Sequence, residues 1–146
     1  MHASVLVVAL AFGAPALKDK PKPDEGLIGL WELERTESGA AQPDRKRDAP
    51  LRYQFNKDGT YVIFEGEKEI VGPRKFAFDA NAKPATLDTR VNQKDNGQTV
   101  YGIYKVEGDL LTICKTPPGK GRPTEFTTAP GSPNYIMYFR RVKTKD

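Results

Sequence analysis

The sequence predicts an all-β domain, an antiparallel up-and-down barrel of about eight strands, and three observations carry that expectation. Apolar residues beyond position 27 recur with a period of two. The runs are short and are separated by Gly, Asn, Asp and Pro turn signals. No stretch in this region carries an apolar stripe at helical spacing. Strands are expected at about 28–36, 51–56, 60–65, 68–78, 85–91, 98–106, 109–115 and 135–142.

The first sixteen residues stand apart. Ala3 to Ala14 is an unbroken run of apolar and small residues, too short to span a bilayer. Its length suits the apolar region of an export signal, and Ala14-Pro15-Ala16 supplies a small-residue cleavage site. The expected division is therefore a signal peptide at 1–16, a polar Pro-containing linker at 17–26, one barrel domain at 27–142 and a polar tail at 143–146. Export would place the domain in the periplasm or outside the cell. No cysteine follows the apolar run to carry a lipid, and no transmembrane segment is expected in the mature chain.

Within the domain, Leu51, Tyr53 and Phe55 alternate with Arg52, Gln54 and Asn56, which gives that strand one wet face. Asn56-Lys57-Asp58-Gly59 reads as a hairpin loop, after which Tyr61 and Ile63 resume the pattern. Glu65-Gly66-Glu67 and Glu107-Gly108-Asp109 read as further tight turns, so consecutive strands should be neighbours. Eight such strands remove their exposed edges by closing on themselves. Gly72-Pro73 predicts a bend or bulge, because Pro cannot donate to a central ladder. Two connections are long: Glu37 to Pro50, with the basic triplet Arg45-Lys46-Arg47, and Thr116 to Asn134, with Pro117, Pro118, Pro123, Pro130 and Pro133.

Composition narrows the chemistry. The single histidine, His2, lies in the expected signal, and the single cysteine is Cys114. No internal disulfide can form, and neither His/Cys zinc sites nor Ser-His-Asp and Cys-His nucleophiles can be assembled. The net charge of +4 is spread among alternating acidic and basic residues, which reads as a mixed solvated surface. No metal, cofactor or nucleic-acid partner is expected, and the domain is expected to be a monomer. Glu32, Glu34, Asp88, Asp109 and Glu125 offer material for a carboxylate-based hydrolase. Nothing in the spacing brings two of them together, so the expectation is a protein that is not an enzyme.

The segment from Cys114 to Phe126 is the most distinctive. Lys115, Lys120 and Arg122 beside Gly119 and Gly121 can bind an anion, although the spacing is not that of a phosphate loop. The competing reading is a Pro-stiffened lid over one barrel mouth, with Phe126 tucked onto the apolar interior and Glu125 pairing Arg122. The candidate binding residues are Lys120, Arg122, Glu125 and Phe126. Cys114 is expected to be buried as a small hydrophobe. Tyr53, Tyr61, Tyr101, Tyr104, Tyr135 and Tyr138 can line a ligand cavity or fill the barrel.

Two resemblances follow from these residues. Gly102-Ile103-Tyr104, Gly108-Asp109, Cys114, Pro118-Gly119-Lys120 and Arg122-Pro123-Thr124-Glu125-Phe126 resemble an uncharacterised domain family found chiefly in planctomycete bacteria. Gly29-Leu30-Trp31, Phe76-Ala77-Phe78-Asp79 and Lys83-Pro84-Ala85-Thr86-Leu87-Asp88 are similar to blocks of the same family, which has no established activity to carry over. Gly29-x-Trp31, with Arg140 or Arg141 at the end of the last strand, resembles the lipocalin signature. That resemblance implies a guanidinium lying over the indole at the closed end of a barrel. The function expected is binding of a small apolar or amphiphilic ligand within the barrel. The alternative is a solid-core module that meets a cell-envelope protein through its Pro-rich and basic loops.

Overall fold

In a computed structural model, residues 26–39, 47–91 and 98–143 are described. The expected signal peptide, most of the linker, and Arg45 and Lys46 lie outside them. Eight strands follow one another: β1 (Gly29–Ser38), β2 (Leu51–Phe55), β3 (Thr60–Glu65), β4 (Lys68–Asp79), β5 (Ala85–Arg90), β6 (Thr99–Glu107), β7 (Leu110–Lys115) and β8 (Tyr135–Arg141). Each pairs antiparallel with the next, and β8 returns to β1, so the sheet is a closed barrel in sequence order. Closure pairs every strand on both sides over at least part of its length. No helix among the described residues is long and apolar enough to cross a membrane.

Local chemistry sets the turns. In the β2–β3 hairpin, Asp58 accepts hydrogen bonds from the Thr60 amide (3.0 Å) and hydroxyl (2.6 Å), and the Asn56 amide donates to Thr60 O. The expected irregularity at Gly72-Pro73 is present: Tyr61 pairs with Arg74 and Ile63 with Val71, which places one extra residue on β4.

The period of two decides the interior. Trp31, Phe55, Tyr61, Phe76, Leu87, Tyr104, Leu111, Ile113, Met137 and Phe139 form the main core with Leu27. Rings meet inside the barrel from strands that flank a common neighbour, Tyr53 against Phe139 at 5.0 Å and Phe55 against Phe76 at 5.2 Å, both edge to face. Such pairs add about 0.5–1.5 kcal/mol each beyond area burial.

One end of this core is sealed. Trp31 is fully buried, and its indole N–H donates to Leu27 O at 2.9 Å. The Arg141 guanidinium lies over the ring at 4.2 Å and donates to Gly26 O at 2.8 Å. Of the two arginines expected there, Arg141 takes the role. Arg140, one residue earlier, points outward to Glu34 because neighbouring strand residues face opposite sides. Gly29 sits at φ 140 with Arg141 Nη1 only 3.2 Å from where a Cβ would be, so a side chain there would be strained and crowded.

The long β7–β8 connection departs from expectation. It is not a lid on the lumen, and Phe126 does not reach the interior. Phe126 packs on the outer wall, against a second cluster of Ile103, Cys114 and Ile136, with Tyr138 beside it. The reason lies in the alternation of β6, β7 and β8: with Tyr104, Ile113 and Met137 inward, Ile103, Cys114 and Ile136 must face out. An apolar patch of that kind on a barrel's exterior needs a cover, and the loop is a strap across it.

Candidate functional site

Leu111, Ile113 and Lys115 alternate along β7 and therefore share the inward face. Lys115 is thus carried into the barrel rather than into the loop that follows it, and it is 94% buried, with 6% of its surface exposed. Its route is open because the residue opposite it on β6 is Gly102. A Cβ there would stand 3.1 Å from Lys115 Cγ and 3.0 Å from two backbone carbonyls, Leu87 O and Cys114 O. Across the bare backbone, the ammonium reaches β5 and donates to Thr89 Oγ1 at 3.1 Å. Thr89 is itself buried.

Among the described residues no carboxylate lies within ion-pair distance of Lys115. A buried ammonium facing only a neutral hydroxyl is poorly solvated. Burial pushes its pKa down to about 8.

Tyrosines complete this end of the lumen. Tyr61 donates to Arg90 O at 2.8 Å and lies beside Thr89 and the Arg74 guanidinium. Burial raises the Tyr61 pKa, and Arg74 and Thr89 act against that rise. Burial also pushes Tyr53 and Tyr135 up to about 12, with neighbouring tyrosines adding to the shift: Tyr135 and Tyr61 act on Tyr53, and Tyr61 acts on Tyr135. All three hydroxyls therefore remain protonated near neutrality; Tyr61 commits its proton to Arg90 O, which leaves Tyr53 and Tyr135 as donors. The result is a polar patch of one ammonium, a hydroxyl from Thr89 and three phenols, backed by the aromatic core. It can receive a small anionic or strongly accepting group and lay an apolar body against rings.

The residues singled out from the sequence fall elsewhere. Arg122 makes a bidentate pair with Asp88 (2.6 and 3.0 Å), donates to Gly102 O at 2.9 Å and lies 5.1 Å from the Tyr101 ring. Its guanidinium is an anchor of the strap, and the expected pair with Glu125 is replaced by this one. Glu125 is exposed, and its carbonyl accepts from Cys114 Sγ at 3.6 Å. Lys120 is exposed on the strap. Lys115, Lys120 and Arg122 are therefore not one anion site: they face the lumen, the solvent and the outer wall in turn. Cys114 is fully buried under the strap, and desolvation raises its pKa, which suits an inert thiol.

Four of the five candidate carboxylates sit beside cations: Glu32 with Arg52, Glu34 with Arg140, Asp88 with Arg122, and Asp109 with Arg141 and Lys143. Among the described residues no group of three His, Cys, Asp or Glu side chains could hold a metal ion. Of the six tyrosines, Tyr53, Tyr61, Tyr104 and Tyr135 belong to the interior, whereas Tyr101 and Tyr138 belong to the outer wall. The signal for Lys115 was present in the sequence as its parity with Leu111 and Ile113. It is masked by the basic residues that follow, which draw Lys115 into the loop.

Comparison with known proteins adds little to this geometry. The chain is 32% identical over 114 residues to the pyruvate, phosphate dikinase of Treponema pallidum (strain Nichols), a match that takes in 71% of this chain and 13% of that enzyme. No family model matches the chain, and no solved structure matches it.

Proposed function

We propose that this chain is an exported, non-enzymatic barrel that holds a small amphiphilic molecule at the polar end of its interior. One observation carries the reading: Lys115 is buried in the lumen with, among the described residues, a single neutral partner, Thr89, beside tyrosine hydroxyls and an aromatic core. Ligand sites combine an apolar wall with a few convergent polar groups, and this end of the barrel has both. The sealed end, with Arg141 over Trp31, supports entry from the opposite side. Export is proposed from the apolar run at 3–14 and the small residues Ala14-Pro15-Ala16. Membership of the uncharacterised planctomycete family is proposed from the sequence blocks between Gly29 and Phe126.

A second reading, a solid-core module for an envelope protein, is favoured by the rings that pack edge to face inside the barrel. Native mass spectrometry of protein purified from its own host separates the two. The amphiphile reading expects a discrete added mass of small-molecule size. A single bare-protein mass, with a second polypeptide retained instead, would overturn it in favour of the interaction module.

A further inference from the structure

We infer that the amphiphile carries a single anionic headgroup of carboxylate size, and that Lys115 is its counter-ion, with the Thr89 hydroxyl as the second donor. The inference rests on the reading that the lumen holds an amphiphile, and it specifies that ligand's charge.

Groups from four strands line this end of the lumen around the ammonium. From β5 comes Thr89, from β3 Tyr61, from β8 Tyr135 and from β6 only the backbone at Gly102. The further charged groups at this end are Arg74 on β4, beside Tyr61, and Arg47, which acts on Tyr53, and both are cations. Among the described residues, every titratable group facing the lumen here is therefore a cation or a neutral donor, and none supplies the negative charge that a buried ammonium calls for. Elsewhere the chain pairs its basic groups: Arg52, Arg122, Arg140 and Arg141 each have a carboxylate. Lys115, the most buried of these cations, is without one among the described residues.

An anion entering this end would meet the Lys115 ammonium, Thr89 and the tyrosine hydroxyls, which together favour a small acceptor with two oxygens. Its apolar tail would lie on the rings of the tyrosines and on Phe76, which contacts Tyr61 at 6.5 Å between centroids. Gly102 lets the Lys115 stem pass close to the wall, with Cγ only 3.1 Å from where a Cβ would stand.

The test compares octanoate, octan-1-ol and octylamine by calorimetry on the full chain and on Lys115→Met. The expected result is that octanoate binds the native protein at least about tenfold more tightly than octan-1-ol. Octylamine should bind least. In Lys115→Met the preference for octanoate should vanish while octan-1-ol still binds. Equal binding of octanoate and octan-1-ol to the native protein, or an octanoate preference that survives Lys115→Met, would overturn the anionic headgroup and leave the amphiphile reading standing. Failure of all three probes to bind would remove that reading itself. Should Lys115→Met not fold, the Lys115 Nζ resonance of the native protein decides by itself: octanoate must shift it and octan-1-ol must not.

Discussion

The two ends of the lumen solve the same problem differently. Each buries a basic side chain among aromatic rings. At the sealed end Arg141 is satisfied from within: the Trp31 ring beneath it, the Gly26 carbonyl at 2.8 Å and Asp109 at 3.7 Å. At the other end Lys115 has Thr89 and, among the described residues, no carboxylate. A planar guanidinium with several donors can cap an indole and still reach backbone oxygens, whereas an ammonium concentrates its charge at a point and suffers more from desolvation. The first arrangement is a structural plug. The second is a demand for charge that the described part of the chain leaves unmet.

The comparison breaks most sharply at Trp31. Trp31→Ala removes the largest fully buried side chain and the surface on which Arg141 lies, and should cost about 3–5 kcal/mol. Chemical denaturation is the measurement, and an unchanged midpoint would show that the sealed end does not hold the barrel together.

Lys115 should behave in the opposite sense. Its folded pKa of about 8 lies below its ordinary value of 10.5, so the unfolded chain binds more protons between those values. Native stability relative to Lys115→Met should therefore rise as pH climbs from about 8 toward 10.5, and the gain should be lost as pH falls back through about 8. The total is about 2–3 kcal/mol at 1.36 kcal/mol for each pKa unit, discounted for relaxation. Taking the difference between the two proteins removes Tyr53 and Tyr135, whose raised pKa values lower stability above their ordinary value of 10. A flat difference from pH 8 to 10 would mean that the amine is solvated.

The smallest effects belong to the outer strap. Phe126 is half-buried on Ile103, Cys114 and Ile136, so Phe126→Ala should cost about 1–2 kcal/mol by area lost. It should also speed proteolysis within 116–134 and open Cys114 to thiol reagents. Arg122→Ala releases Asp88 but removes a partly exposed pair, so its cost should be at most about 1 kcal/mol. If either variant instead abolished octanoate binding without unfolding the barrel, the strap and the lumen would be coupled, and the separation drawn between them would be wrong.

Much of this could be read in the linear chain. Period-two alternation around Leu51, Tyr53 and Phe55, and turns at Gly59, Gly66 and Gly108, foretold eight strands with boundaries close to those observed. Near-neighbour pairing followed from the short turns, and closure followed from the need to hide edges. The same rule placed Trp31 in the interior and left Arg140 and Arg141 as alternatives, between which the register of β8 against β1 decided. These features are local: strand residues alternate, and each turn depends on a few adjacent side chains.

Only the tertiary structure decided the rest. Which wall the 116–134 segment covers depends on the outer faces of three strands taken together, since Ile103, Cys114 and Ile136 form a patch only once β6, β7 and β8 are aligned. Arg122 could be matched to Asp88 only by a fold that brings residues 34 apart in sequence to 2.6 Å. Lys115 found Thr89, two strands away, only because Gly102 lies between them without a side chain. The sequence by itself determined which side chains point inward. Their partners were set by strand register and barrel closure, which are properties of the assembled sheet and not of any one segment.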